Sequence, residues 1–152
     1  MTFPPIARVR HHLDQTEIDD AQLESTVAHA IRSSRIQLRV PAGGSVAITV
    51  GSRGIAGLPR LVRAAVETLR AMSFQPFLVA AMGSHGGGTS QGQRGLLKAL
   101  GVTEDSAGCP ISDDMDTTAI GTNSFGLPIE FDANALRADG IVLLNRIKPH
   151  TS

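Results

Sequence analysis

The 152-residue sequence contains no Trp and no Tyr, and its five Phe make aromatic content 3%. Stacking platforms for nucleic-acid bases are therefore not expected. Lys plus Arg equals Asp plus Glu at 14 each, without clusters, so no basic stripe is available for a phosphate backbone. The sole cysteine, Cys109, stands beside Pro110, which excludes an intrachain disulfide and a cysteine metal cluster. No run of 18 apolar residues exists to form a membrane-spanning helix. The opening Met1-Thr2-Phe3-Pro4-Pro5 lacks the charged-then-apolar layout of a secretory signal, which makes the cytoplasm the expected location. Zero net charge with 41% hydrophobic residues describes a globular chain of about one domain, long enough for a normal core.

What is present is a repeated alternation of short apolar runs and helical periodicity. Leu23, Val27 and Ile31 lie four apart and predict a helix over 20–33, capped by Asp19 with Gln22 answering. Gln37–Val40 is expected as a short strand. Ser45–Val50 reads as a strand, followed by a helix carrying Leu58, Leu61, Val62, Ala65, Val66, Leu69 and Met72 on one stripe. Phe77–Met82 reads as a second, fully buried strand. Ser90 and Gln93 suggest a capping box for a helix with Leu96, Leu97 and Leu100, stopped by Gly101. Thr117–Gly121 and Leu127–Phe131 flank Asn123-Ser124-Phe125-Gly126, a hairpin pattern. Asp132 caps a short helix to Ala138, and Gly140 leads into the strand Ile141–Asn145. This order predicts an α/β fold, a mostly parallel, doubly wound (Rossmann-like) sheet with a small β-hairpin insertion.

Three of these strands run into loops with chemically capable residues. They are Gly51-Ser52-Arg53-Gly54, Gly83-Ser84-His85-Gly86-Gly87-Gly88 and Arg146-Ile147-Lys148-Pro149-His150. In an open parallel sheet such loops share the ligand crevice at the carboxyl ends of the strands. Gly86 and Gly87 would let the backbone approach a ligand, and the helix start at Thr89 offers N–H groups to an anion. Histidine is the side-chain type suited to proton transfer near neutrality, which makes His85 a candidate acid/base. Pro149 holds Lys148 extended and would pre-orient His150. Arg53 has the planar fork that clamps a carboxylate, and Arg146 and Lys148 could assist. Each residue also has a plainer reading: a turn with a solvated histidine, a chain end, a surface cation. The second loop has neither dinucleotide-binding nor Walker spacing. His11, His12 and His29 read as solvated or structural, and Asp113, Asp114 and Asp116 as a solvated turn.

Taken in order, Gly51–Gly54, Met82–Gly87 and Asn145–Thr151 resemble the lactate racemase family, the nickel-pincer-nucleotide-dependent 2-hydroxyacid racemases and epimerases. The likeness covers about residues 45–152. It implies that His85 and His150 are the acid/base pair on opposite faces of the reacting carbon, and that Arg53, assisted by Lys148, binds the substrate carboxylate. It implies a nickel-bearing pyridinium-derived cofactor that takes hydride from that carbon, with Gly86, Gly87 and Thr89 placed to contact it. Lactate racemase itself has an aspartate and a second arginine where Val50 and Gly51 stand, Arg-Pro where Gly86-Gly87 follow His85, and a glutamate where Lys148 stands. A 2-hydroxyacid other than lactate is therefore expected.

In that family the cofactor-tethering lysine and a nickel-ligand histidine follow the Pro-His motif, and neither is present up to Ser152. The expectation is thus residues 1–152 as an N-terminal catalytic domain, truncated and lacking its C-terminal domain, inactive alone. Bare apolar surface at the broken edge would favour homo-oligomers. The alternative expectation is a non-catalytic truncated domain that binds an anionic ligand or a partner chain through the same crevice.

Overall fold

The computed structural model describes residues 17–52 and 54–146. Its centre is β1 (Ser45–Val50), a run of β-branched and small residues with no charge. β1 pairs in parallel with β2 (Gln75–Ala80) on one side and with β6 (Gly140–Leu144) on the other. β3 (Ile111–Ser112) extends the sheet beyond β2, giving the order β3-β2-β1-β6. β4 (Thr117–Thr122) and β5 (Pro128–Asp132) form a separate antiparallel hairpin. The fold is therefore the α/β parallel sheet with a hairpin insertion that the pattern of residues predicts.

Alternation along β1 sorts its side chains between two layers. Val46, Ile48 and Val50 enter the main core with Ile31 of α1 (Leu23–Ser33), Val62, Val66 and Leu69 of α2 (Leu58–Ala71), and Leu97 of α3 (Ser90–Ala99). Ala47 faces the opposite way and meets Val79 and Ala135, the latter on α5 (Ala133–Arg137), with Phe131 of β5 alongside. That second layer is thin. On β6, which forms an edge of the sheet, Leu143 is 74% exposed.

Several local expectations are corrected. Gln37–Val40 is not a strand: Ile36–Leu38 form a 3₁₀ turn, and the N–H groups of Arg39 and Val40 both donate to Ile36 O. Ile36 and Val40 are four apart, and the helical turn brings both close together against the core. A 3₁₀ turn, Asp20–Gln22, precedes α1; Asp19 caps that turn by accepting from Ala21 N, and Gln22 contributes no side-chain cap.

The second strand starts at Gln75 and ends at Ala80, two residues before the expected positions at both ends. Gln75 N donates to Gly44 O on the β1 side and Leu78 N donates to Pro110 O on the β3 side. Pro76 has the parity of Leu78, so its missing N–H faces the β3 side before the β3 pairing begins at Leu78. The strand is also less enclosed than expected, with Phe77 and Ala80 half-buried. Finally, the cap of α3 is Thr89 rather than Ser90, and Gln93 turns inward instead of answering it. α4 (Glu104–Ala107) carries a capping box at Thr103 and Ser106.

Candidate functional site

Register decides where the loops emerge. Val50 is level with Ala80 on one side and Leu144 on the other, so Gly51, Ala81 and Asn145 leave the sheet side by side. From β1 the chain first works outward through β2 to β3, then returns to the other side of β1 as β6. This reversal makes the carboxyl end of β1 the switch point at which open α/β sheets bind ligands. A cavity of about 530 Å³ opens there, lined from all three loops by Gly51, Ser52, Met82, His85, Asn145 and Arg146.

The loops touch one another as well as the cavity. Ser52 Oγ and His85 Nδ1 are hydrogen-bonded at 2.5 Å across 33 residues of sequence. Arg146 Nη1 donates to Gly54 O at 3.3 Å, joining the third loop to the first. A Cβ at Gly51 would come within 3.2 Å of Asn145 Oδ1, so a larger residue there would require the Asn145 side chain to give way by a few tenths of an ångström.

His85 is half-buried and sits in a turn whose N–H donates to Met82 O at 3.2 Å. The glycines after it have distinct tasks. Gly86 has φ 66°, and a Cβ there would fall 2.5 Å from the Gly92 carbonyl carbon, so the turn packs against the first turn of α3. Gly87 has φ 71° with nothing within 4 Å of a Cβ position, so its side faces open space. Thr89 Oγ1 accepts from Gly92 N and donates to Gly86 O, both at 3.1 Å. Gln93, 4% exposed, donates from Nε2 to Gly83 O at 2.7 Å and anchors the near end of the same loop. The turn is thus fastened to α3 on both sides of His85.

Of the residues expected at the site, the structure places His85 on the cavity wall, while Gly86, Gly87 and Thr89 follow it on the same loop and do not line the cavity. Arg53, Lys148 and His150 lie outside the described residues, as do His11 and His12. His29 is exposed on α1. Asp113 pairs with Arg94 at 3.1 Å, and Asp114 accepts from Asp116 N. Cys109 is buried, and desolvation pushes its thiol up to about 11, away from nucleophilic use. Sequence reasoning assigned no role to Ser52 or Asn145. Both are small polar residues just past a strand end, and the pairing of Ser52 is long-range.

The described residues supply no metal-ligand cluster of their own for the nickel-bearing cofactor implied by the resemblance. Among them no group of three His, Cys, Asp or Glu could hold a metal ion. Gly86 and Thr89 are engaged by α3 itself.

Fold and site together define an α/β protein with a polar crevice at the carboxyl end of a parallel sheet, equipped with a serine-bonded histidine. Set against protein-family models, curated proteins and solved structures, the chain matches none.

Proposed function

We propose that this chain carries the proton-handling part of a 2-hydroxyacid racemase or epimerase. The observation that carries the reading is the convergence of three separate strand-end loops on one cavity, with His85 from the second loop within it. A small hydroxyacid needs a group for its carboxylate and a base for its hydroxyl proton. Arg146 lies on the cavity wall as one cation for the carboxylate, and the motif of the first loop supplies Arg53 as another. His85 takes the hydroxyl proton while the hydride of the same carbon would pass to the pyridinium-derived cofactor that the resemblance implies, and His85 returns the proton when the hydride comes back to close the centre. Inversion needs a second proton carrier on the other face, and the motif at 145–151 supplies His150 for it.

The test uses the chain in its full reading frame with a panel of 2-hydroxyacid enantiomers, followed by chiral chromatography. Interconversion of one pair is expected. His85→Ala should lower the rate by about 10²–10⁴-fold, the usual contribution of a general acid–base group. Undiminished turnover in His85→Ala refutes the assignment. Saturable binding of hydroxyacids without interconversion supports instead a domain that binds anions without catalysing.

A further inference from the structure

The contact between Ser52 and His85 has a chemical consequence because the two imidazole nitrogens are not equivalent. In a neutral imidazole one nitrogen carries the proton and the other the basic lone pair; the hydrogen bond at one decides which. The structure assigns Ser52 the role of a positioning residue: its Oγ accepts the Nδ1–H of His85, so that the basic lone pair resides on Nε2. This assignment rests on the acid/base reading of His85, since a base at the crevice must carry its lone pair on the nitrogen other than the one Ser52 engages.

Three features support it. The contact links two loops rather than neighbours in sequence, and both loops are fixed independently. β1 and β2 are paired up to Val50 and Ala80, and Ala81 N continues the ladder by donating to Val50 O. Gln93 and Thr89 hold the histidine turn from the α3 side. Both partners are half-buried, which removes much of the competition from water. A hydroxyl is also a neutral acceptor. A carboxylate in its place would favour imidazolium and leave less of the ring neutral at neutral pH, whereas serine orients the ring without adding charge.

The tautomer is directly measurable by long-range ¹H–¹⁵N correlation on histidine-labelled protein at about pH 9, well above the ordinary histidine range near 6.5. The His85 signals are those lost in His85→Gln. The wild type is expected to show Nδ1 protonated. Ser52→Ala should move the ratio toward Nε2–H by about two- to tenfold, the size of one ordinary hydrogen bond. Ser52→Thr, which keeps the hydroxyl, should restore it. An Nε2–H tautomer in the wild type overturns the proposal, as does an unchanged ratio in Ser52→Ala. So does labelling of Ser52 by a fluorophosphonate that disappears in His85→Gln, which would make the serine a nucleophile. Should Ser52→Ala not fold, the wild-type tautomer and Ser52→Thr still decide. The expected tautomer in a protein that interconverts no hydroxyacid would sink the racemase reading alone. The wrong tautomer beside full racemisation would sink this proposal alone.

Discussion

The two ends of the parallel sheet solve the same problem in opposite ways. At the amino ends, carboxylates close the strands. Asp139 Oδ2 accepts from both N and Oγ of Ser45, the first residue of β1, at 2.8 and 3.0 Å. Glu104 Oε1 accepts from the N–H of Ile111, the first residue of β3, at 3.2 Å. Val40 fills the space beside Gly44 and Gly140. At the carboxyl ends the same strands release loops whose mutual contacts are a serine–histidine bond, an arginine–carbonyl bond and a close approach at Gly51. A cavity remains between them. One end is finished with charge-assisted bonds, while the other holds polar groups at fixed positions around a cavity. Stability and chemistry are thereby assigned to different edges of one sheet.

Substitutions can test whether that division holds. The largest effect is expected at the one place where loop and scaffold interlock, the turn after His85. Gly86→Ala places a methyl group 2.5 Å from the Gly92 backbone at a left-handed φ of 66°. Backbone strain alone costs about 1–3 kcal/mol. The clash adds to this, because backbone cannot swing aside as a side chain can. Gly87→Ala has the same kind of φ, 71°, but open space around it, so only strain of about 1–2 kcal/mol is expected. Thermal unfolding should rank wild type above Gly87→Ala above Gly86→Ala, at about 2–4 °C per kcal/mol for a chain of this size. Equal losses in both variants would mean that the turn does not lean on α3, and the site would then lack its rigid support.

Next in size is the amino end itself. Asp139→Ala removes the acceptor for two donors of Ser45, one of them the backbone N–H that begins the central strand. A loss of about 1–2 kcal/mol is expected, toward the lower part of the range for bonds to charged groups because Asp139 is exposed. The His85 tautomer should not change, since Ser45 and Val50 lie at opposite ends of paired β1. A changed His85 spectrum in Asp139→Ala would show that the two ends are coupled, and the comparison would fail.

How much of this was legible beforehand follows the same boundary between local and distant interactions. β1 is announced by Ser45–Val50, α2 by its four-apart apolar stripe, the hairpin by Asn123 and Gly126, and the short α5 by Asp132, whose Oδ1 accepts from Ala135 N. Each of these signals acts within about one turn of chain. Ile36–Leu38 misled because four residues carry both a two-fold and a helical period, and only packing chooses. Thr89 and Ser90 are adjacent hydroxyl residues, and which one caps depends on where Gln93 is drawn, which is inward to Gly83. At the site, His85 was legible from its glycine-rich turn. Its bond to Ser52 was not, because no periodicity encodes a pairing set by the register of β1 against β2. The acid at Asp139 went unnoticed for the same reason, being 94 residues from its partner.

The smallest expected effect separates the two ends by pH. Glu104 is held below the ordinary carboxyl value of 4.5, chiefly by the Ile111 N–H and then by Arg94, whose guanidinium is raised in turn by Glu104 and Asp113. Glu24 is held down likewise by Arg60, which joins α1 to α2. A carboxyl group depressed in the folded state binds fewer protons there than in the unfolded chain at the same pH. Its contribution is therefore complete above about 4.5 and is lost as the pH falls through the folded value. Glu104→Gln should lower the melting temperature slightly at about pH 7 and make less difference once the pH has fallen through the folded value, where the wild-type carboxylate is protonated as well. The exposed position of this cluster keeps the effect small and makes it shrink further in salt. A gap between wild type and Glu104→Gln that widens in acid would reverse the sign. It would mean that the start of β3 depends on Glu104 for something other than its charge, such as the shape of the α4 turn, and the carboxylate account of the sheet's amino end would have to be given up for that strand.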